Sequence, residues 1–209
     1  MDVLHTSYIE DLIGTYGVTL DENQCEAIRR YVTLLLRWNQ RISLTRVTDP
    51  ESILRFHFGE SLFAIPKVPI RGGRLADVGS GAGFPGVPLR IALPDLKLSL
   101  IESNVRKAAF LAEVCRELNF NDVEVFRGRM ESVPEDNNPY DFITARALGN
   151  HPDLLKWASR HLAPGGSIVL WLGDAEASTL AESDAWEWRK PVHVPGSERR
   201  FLLVGAPKS

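Results

Sequence analysis

The sequence predicts an α/β protein: a mostly parallel, twisted sheet with a reversed last strand and an N-terminal helical extension. Three observations carry this. From Arg74 onward, short β-rich runs alternate with helical ones; residues 1 to about 66 show helical periodicity alone; and two closing apolar runs are joined by only Gly196-Ser197-Glu198. Alternation of strand and helix implies parallel strands linked by right-handed crossovers. So short a connection cannot carry a crossover, so the closing runs pair antiparallel.

The elements follow in order. Ala27, Tyr31, Leu34, Leu35, Trp38 and Ile42 recur at helical spacing and make one apolar stripe on a long helix, with Asp21 as its N-cap. A second short helix runs from Pro50 to Ile65 and stops at Pro66. Residues 1–66 thus form the helical extension and 67–209 the main domain. In that domain RLADV, KLSLIE, VEVF, DFITA and SIVLWL are strands. Between them lie helices at Pro85–Leu93, Val105–Leu118 and His151–Leu162, and a short turn at Met130–Val133. A helix near Ala175–Glu182 precedes the hairpin of KPVHVP (190–195) and RRFLLVGA (199–206).

Composition narrows the function. Of 209 residues 44% are apolar, enough for a core, and 24 basic against 27 acidic residues give a net charge of −3. Any contact with nucleic acid must therefore come from a local patch. The N-terminus lacks the pattern of a signal peptide, and no apolar run nears the roughly 20 residues needed to span a bilayer. Cys25 and Cys115 have no partners at metal-ligand spacing and read as reduced core thiols. The expectation is a cytoplasmic protein, monomeric, without membrane or metal.

Residues 75–90, LADVGSGAGFPGVPLR, hold two overlapping glycine spacings. From Gly79 the pattern is G-x-G-x-G, found where S-adenosylmethionine binds; from Gly81 it is G-x-G-x-x-G, the dinucleotide fingerprint. Gly79 follows a strand directly, where positive φ costs little only for glycine, and Gly81 lacks a side chain that would keep a ligand off the backbone. Glu102 ends the second strand, where a carboxylate accepts both ribose hydroxyls of either ligand. Asp77 either faces the cleft, where it repels a pyrophosphate and suits a sulfonium, or caps a loop amide. The reversed last strand also argues against a second parallel half of the dehydrogenase kind.

Beyond these spacings, DVGSGAGFPGVPL (77–89), ESNVRKAAFL (102–111), GRMES (128–132), the ARA of Ala145–Ala147, WNQRISLT (38–45) and SERRFLLV (197–204) together resemble the bacterial RsmG family, also called glucose-inhibited division protein B. The resemblance runs over nearly the whole chain. It implies a Rossmann-like class I methyltransferase fold and transfer of a methyl group from S-adenosyl-L-methionine to N7 of a guanine in 16S ribosomal RNA, free or in the small ribosomal subunit. It also implies that Gly79 and Phe84 line the cofactor, that Met130 and Glu131 surround its adenine, and that Arg146 sits where cofactor and RNA meet. Two positions depart from the family pattern: Glu60 in HFGES where Asp is usual, and Leu172 in LWLG where Lys is usual. The Lys-to-Leu change removes a positive charge from the presumed RNA side.

The chemistry so implied needs little. A ring nitrogen that carries no proton attacks the methyl directly, so no general base is required and positioning does the work. RNA contacts must then come from cations on the carboxyl rim of the sheet: Arg106, Lys107 and Arg129, with Arg199 at the start of the last strand. Arg30, Arg37 and Arg41 repeat along the long helix, either as a solvated face or as a phosphate track. A small-molecule methyltransferase and a nucleotide-binding oxidoreductase are the competing readings.

Overall fold

The computed structural model describes residues 3–135, 138–146, 149–182 and 184–208. Ala147 of the ARA run lies outside them. Two N-terminal helices, α1 (Thr6–Gly14) and α2 (Glu22–Asn39), precede a broken helical run: α3 (Pro50–Ile53), a π-helical segment (Leu54–Gly59) and α4 (Glu60–Leu62). Then follow β1 (Gly73–Val78), α5 (Gly86–Ala92), β2 (Leu96–Glu102), α6 (Val105–Glu117), β3 (Val123–Arg127), a 3-10 turn (Met130–Ser132), β4 (Tyr140–Arg146), α7 (His151–His161), β5 (Leu162–Gly173), α8 (Asp174–Ala181), β6 (Trp186–Trp188), β7 (Val192–His193) and β8 (Arg200–Pro207).

The strands lie in the order β3-β2-β1-β4-β5-β8-β6, with β7 also paired to β8. β1 to β5 are parallel to one another, and β8 runs antiparallel to β5, Gly173 opposite Arg200. The reversed strand is as expected. Its partners differ: of the 190–195 run, Val192 and His193 pair with it and the Val194 amide donates to the Arg200 carbonyl, and the three residues of β6, which escaped the sequence reading, pair with its far end. Trp186 and Trp188 of β6 stack on each other at the sheet edge, so their rings serve packing.

Both faces of the sheet are buried, which is why its strands read as nearly continuous apolar runs. Leu98 and Leu100 point to one face and Ile101 to the other; Val169 and Trp171 oppose Ile168 and Leu170. The first face carries α5, α6 and the N-terminal helices in one apolar cluster, the second α7 and α8. Leu172 is 4% exposed and packs in the second cluster, so the position where the family usually has Lys points into the core here.

Helix α2 starts where expected: Asp21 Oδ1 accepts from the Gln24 amide (2.8 Å) and Gln24 Oε1 from the Asp21 amide (2.9 Å). The Gln24 side-chain amide also donates to the Ile91 and Ala92 carbonyls at the end of α5 (3.1 Å each), tying the extension to the first crossover helix. The helix stops at Asn39, short of Ile42. There the Asn39 Oδ1 accepts from the amides of Leu44 and Thr45 and its side-chain nitrogen donates to the Thr45 carbonyl, which closes the chain into a turn. Helix α1, capped by His5, was hidden in a general helical signal; its buried Ile9, Leu12 and Ile13 form one short stripe.

Candidate functional site

The chain leaves β1 for β2 and β3 on one side, then crosses back to lay β4 on the other. The carboxyl ends of β1 and β4 therefore flank a topological switch point, where such sheets hold ligands. A cleft of about 290 Å³ opens there, lined by Val78 and Gly79 at the end of β1, Ile101 and Ser103 at β2, Gly128 to Glu131 after β3, and Gly149 and Asn150. The cleft gathers three of the expected cofactor residues, Gly79, Met130 and Glu131. It also gathers Arg129, expected on the RNA side. Arg129 stands on the cleft wall itself, so a substitution there touches the ligand's surroundings as well.

The turn itself settles the glycine question. Gly79, Gly81 and Gly83 have φ of 70°, 59° and 90°, a region that side-chain-bearing residues rarely occupy. Gly86 serves differently: a Cβ there would come within 2.9 Å of Asp77 and Leu100, so its bareness lets α5 sit against the sheet. Both spacings thus have a structural reason, but the hydrogen bonds favour one ligand. The amides of Gly79 and Ser80 donate to the Ile101 carbonyl, Gly81 to Glu102 Oε2 (2.8 Å), Gly83 to the Ser80 carbonyl and Gly86 to Asp77 Oδ2 (3.2 Å). A pyrophosphate needs such amides free. Here they are engaged, and two carboxylates lie beneath them.

Glu102 is 7% exposed, with Oε1 taking the Asn104 amide (2.7 Å) and Oε2 the Gly81 amide. One bond to each oxygen fixes the carboxylate and leaves lone pairs for hydroxyl donors. Asp77, by contrast, is fully buried. It accepts from Thr144 Oγ1 (2.9 Å) as well as Gly86, so it caps the loop and does not face the cleft. Burial raises its pKa to about 6, against the lowering effect of those hydrogen bonds.

Phe84 and Arg146 belong to a neighbouring joint between the N-terminal helices and the sheet. Phe84 is not among the described residues lining the cleft; its ring stacks on Tyr31 (5.5 Å), meets Phe58 edge-on (5.3 Å) and lies 4.8 Å from His57. The Tyr31 hydroxyl donates to the Ala82 carbonyl within the glycine turn. Arg146 ends β4, and its Nη2 donates to the Phe56 carbonyl and to Glu60 Oε2, both at 2.7 Å. Arg200 reaches the same Glu60 oxygen at 3.4 Å. The Glu60 and Arg146 side chains are 5% and 10% exposed, and burial lowers the Arg146 pKa to about 10. Glu60 therefore bridges two guanidiniums from β4 and β8. His57 shares Thr45 Oγ1 at 2.7 Å, and burial, then Arg146, push its pKa down to about 4.

The other cations divide. Arg106 and Lys107 occupy the first turn of α6, their amides held by Asn104 Oδ1, with Arg106 exposed and Lys107 half-buried at the rim. Arg199 is exposed just before β8, beside the carboxyl end of β5. Arg30 is no phosphate track: it pairs with Glu117 on α6. Glu60, His57 and Tyr31 are the members that the sequence reading missed as a group. Tyr31 stood on the apolar stripe, and a buried phenol needs a partner, which was the available signal.

The strand order and the reversed last strand are those of the class I methyltransferase fold. Solved structures share the fold: a SAM-dependent methyltransferase from Aquifex aeolicus (TM-score 0.63, 18% identity, 75% of this chain and 93% of that one) and a ribosomal protein L11 methylase from Lactobacillus delbrueckii subsp. bulgaricus (TM-score 0.61, 14% identity, 74% and 79%). The family model GidB, rRNA small subunit methyltransferase G, matches residues 24–198, and the chain belongs to that family. Curated relatives named "Ribosomal RNA small subunit methyltransferase G" include one from Stutzerimonas stutzeri (strain A1501), 35% identical over 98% of each chain. Another, from Roseiflexus sp. (strain RS-1), is 37% identical over 90% of this chain and 86% of its own. No helix among the described residues is long and apolar enough to cross a membrane, and no cluster of three or more His, Cys, Asp or Glu fit to hold a metal occurs among them.

Proposed function

We propose that this chain methylates N7 of a guanine in 16S ribosomal RNA, with S-adenosylmethionine as donor. The observation that carries the donor is Glu102, a fixed carboxylate beneath a turn in which the amides of Gly79, Ser80, Gly81, Gly83 and Gly86 are engaged. That arrangement suits a ribose diol on a ligand without a pyrophosphate. Val78, Ile101 and Met130 give the cleft apolar walls for a purine ring, and Gly79 lets the ligand approach the backbone. When bound, S-adenosylmethionine supplies a sulfonium methyl as the transferable group. Membership of the family carries the substrate.

The chain's own task is placement. The described cleft lining holds no His, Cys or Lys, which fits an acceptor nitrogen that needs no deprotonation. Arg106, Lys107 and Arg199 stand on the rim for RNA phosphates, and Arg129 and Arg146 lie closer to the cofactor. Aligning acceptor and donor can lower a barrier by roughly 7–11 kcal/mol, so a site without a base is sufficient.

The test is methylation in vitro with labelled donor, offering intact small subunits, deproteinised 16S ribosomal RNA and a metabolite extract. Digestion of the RNA to nucleosides should place the label on 7-methylguanosine. Label confined to metabolites, or on another position of the base, would overturn this reading.

A further inference from the structure

A second cavity lies outside the cleft, in the seam between α2 and α6, and the proposal for it rests on the RNA reading above. The two helices run in opposite directions: Arg30 meets Glu117 at one end, and Trp38 packs edge-on against Phe110 (5.7 Å) nearer the other. The last turn of α2 therefore lies toward the start of α6, on the same rim as Asn104 and Glu102. There Arg37, Trp38, Arg41, Ile42 and Glu113 enclose about 490 Å³.

Charge changes along this seam. At its lower end each guanidinium is matched, Arg29 by Glu26 and Arg30 by Glu117. At its upper end Glu113 is shared by Arg116 and by Arg37, the latter at 3.8 Å with two-thirds of its side chain exposed. Arg41, exposed, has no ion pair among the described residues. Of the groups lining the cavity, two guanidiniums, Arg37 and Arg41, thus stand against one carboxylate, Glu113, which Arg116 also engages. The chain that bears Arg41 and Ile42 is also pre-ordered, because the Asn39 side chain ties it to Leu44 and Thr45. Towards the cofactor cleft the strip continues through Val105, 60% exposed, and Arg106.

We propose that this cavity is a nucleotide subsite for single-stranded RNA flanking the target guanine. A base lies on the Trp38–Ile42 wall while its phosphates meet Arg37 and Arg41. A half-buried indole supplies the sequence-tolerant face on which unpaired bases stack, and adjacent guanidiniums supply the phosphate contacts. An acidic peptide would answer the charge but leave the flat apolar wall without a planar partner.

The test compares the parent with Arg37→Gln/Arg41→Gln, Trp38→Leu and Trp38→Phe. It uses binding to deproteinised 16S ribosomal RNA across a salt series, methylation kinetics on whichever RNA substrate the parent modifies, and cofactor affinity. The double variant should raise KM for RNA several-fold with kcat and cofactor affinity nearly unchanged, and its log–log salt slope should be shallower by about 1.4, two single-strand phosphate contacts. Trp38→Leu should weaken RNA binding roughly five-fold or more, and Trp38→Phe should recover most of it, which a merely space-filling Trp would not show. Since Arg37 and Arg41 are exposed, their variants keep the test valid even where Trp38→Leu lowers stability. An unchanged slope and KM in the double variant would overturn the subsite. So would an effect seen only on intact subunits, which would point to a protein partner. A parent that methylates no RNA defeats the functional reading itself, whereas a methylating parent with indifferent variants defeats only this subsite.

Discussion

In the turn from Gly79 to Gly86, the amides of Gly79, Ser80, Gly81, Gly83 and Gly86 each have an acceptor, and both buried carboxylates have donors. Across the rim, where the N-terminal helices meet β4, His57 Nδ1 and Arg146 Nη1 are buried without a partner among the described residues, and one glutamate serves two arginines. The first region is a cradle fixed before any ligand arrives. The second is a joint held by charges in low dielectric, where each group depends on its neighbours. The glycine turn and the attachment of the N-terminal helices therefore rest on different physics. They should fail in different ways.

The largest effect is expected at the joint. Glu60→Ala leaves Arg146 buried without its counter-ion and should cost about 3–5 kcal/mol in urea unfolding. Glu60→Asp should lose less, because a carboxylate remains. A loss below 1 kcal/mol for the alanine variant would mean that the joint is not electrostatic. At the turn, Gly79→Val should lower cofactor affinity more than 100-fold, about 3 kcal/mol by calorimetry, with a smaller fall in stability. A variant that binds normally would refute the cradle. Glu102→Gln should weaken the cofactor about ten-fold with the melting temperature little moved; equal loss in both would make Glu102 only a loop anchor.

The smallest net effect is in acid, where the regions oppose each other. Asp77 in the turn has a folded pKa of about 6, raised from 3.8 chiefly by burial. Its contribution is fully present below the unfolded pKa and is lost as pH rises from about 4 to 6. His57 in the joint has a folded pKa of about 4, lowered from 6.5 by burial and by Arg146. Its contribution is present above 6.5 and is lost as pH falls towards 4. The two act in opposite directions in the parent. Relative to it, His57→Gln should lose less stability on acidification from pH 6.5 to 4, and Asp77→Asn should lose more. Shifts of the same sign, read from urea midpoints, would break the contrast.

The same division explains what was legible in the sequence. The parallel strands, the reversed last strand and the glycine turn follow from local spacing, which also nominates Gly79, Gly81 and Glu102; of these Gly79 lines the cleft, and Gly81 and Glu102 are joined by a hydrogen bond beside it. Met130, Glu131 and Arg146 came from family resemblance, since no spacing rule marks them. The joint was invisible because Glu60 meets Arg146 across 86 positions and Tyr31 meets Ala82 across 51. Asp77 was open between two readings, since a strand-end carboxylate reads alike facing a cleft or capping an amide; Thr144, 67 positions away, decides for the cap. The end of α2 was misplaced because the Asn39 side chain, not the apolar stripe, stops the helix. Three-residue β6 is too short for alternation to register.

The central claim is that the turn after β1 holds a sulfonium nucleoside. Its most direct test is calorimetric titration of the protein with S-adenosylmethionine and, separately, with NADH. The account predicts saturable one-to-one binding of the first and none of the second. Binding of NADH with refusal of S-adenosylmethionine would contradict it.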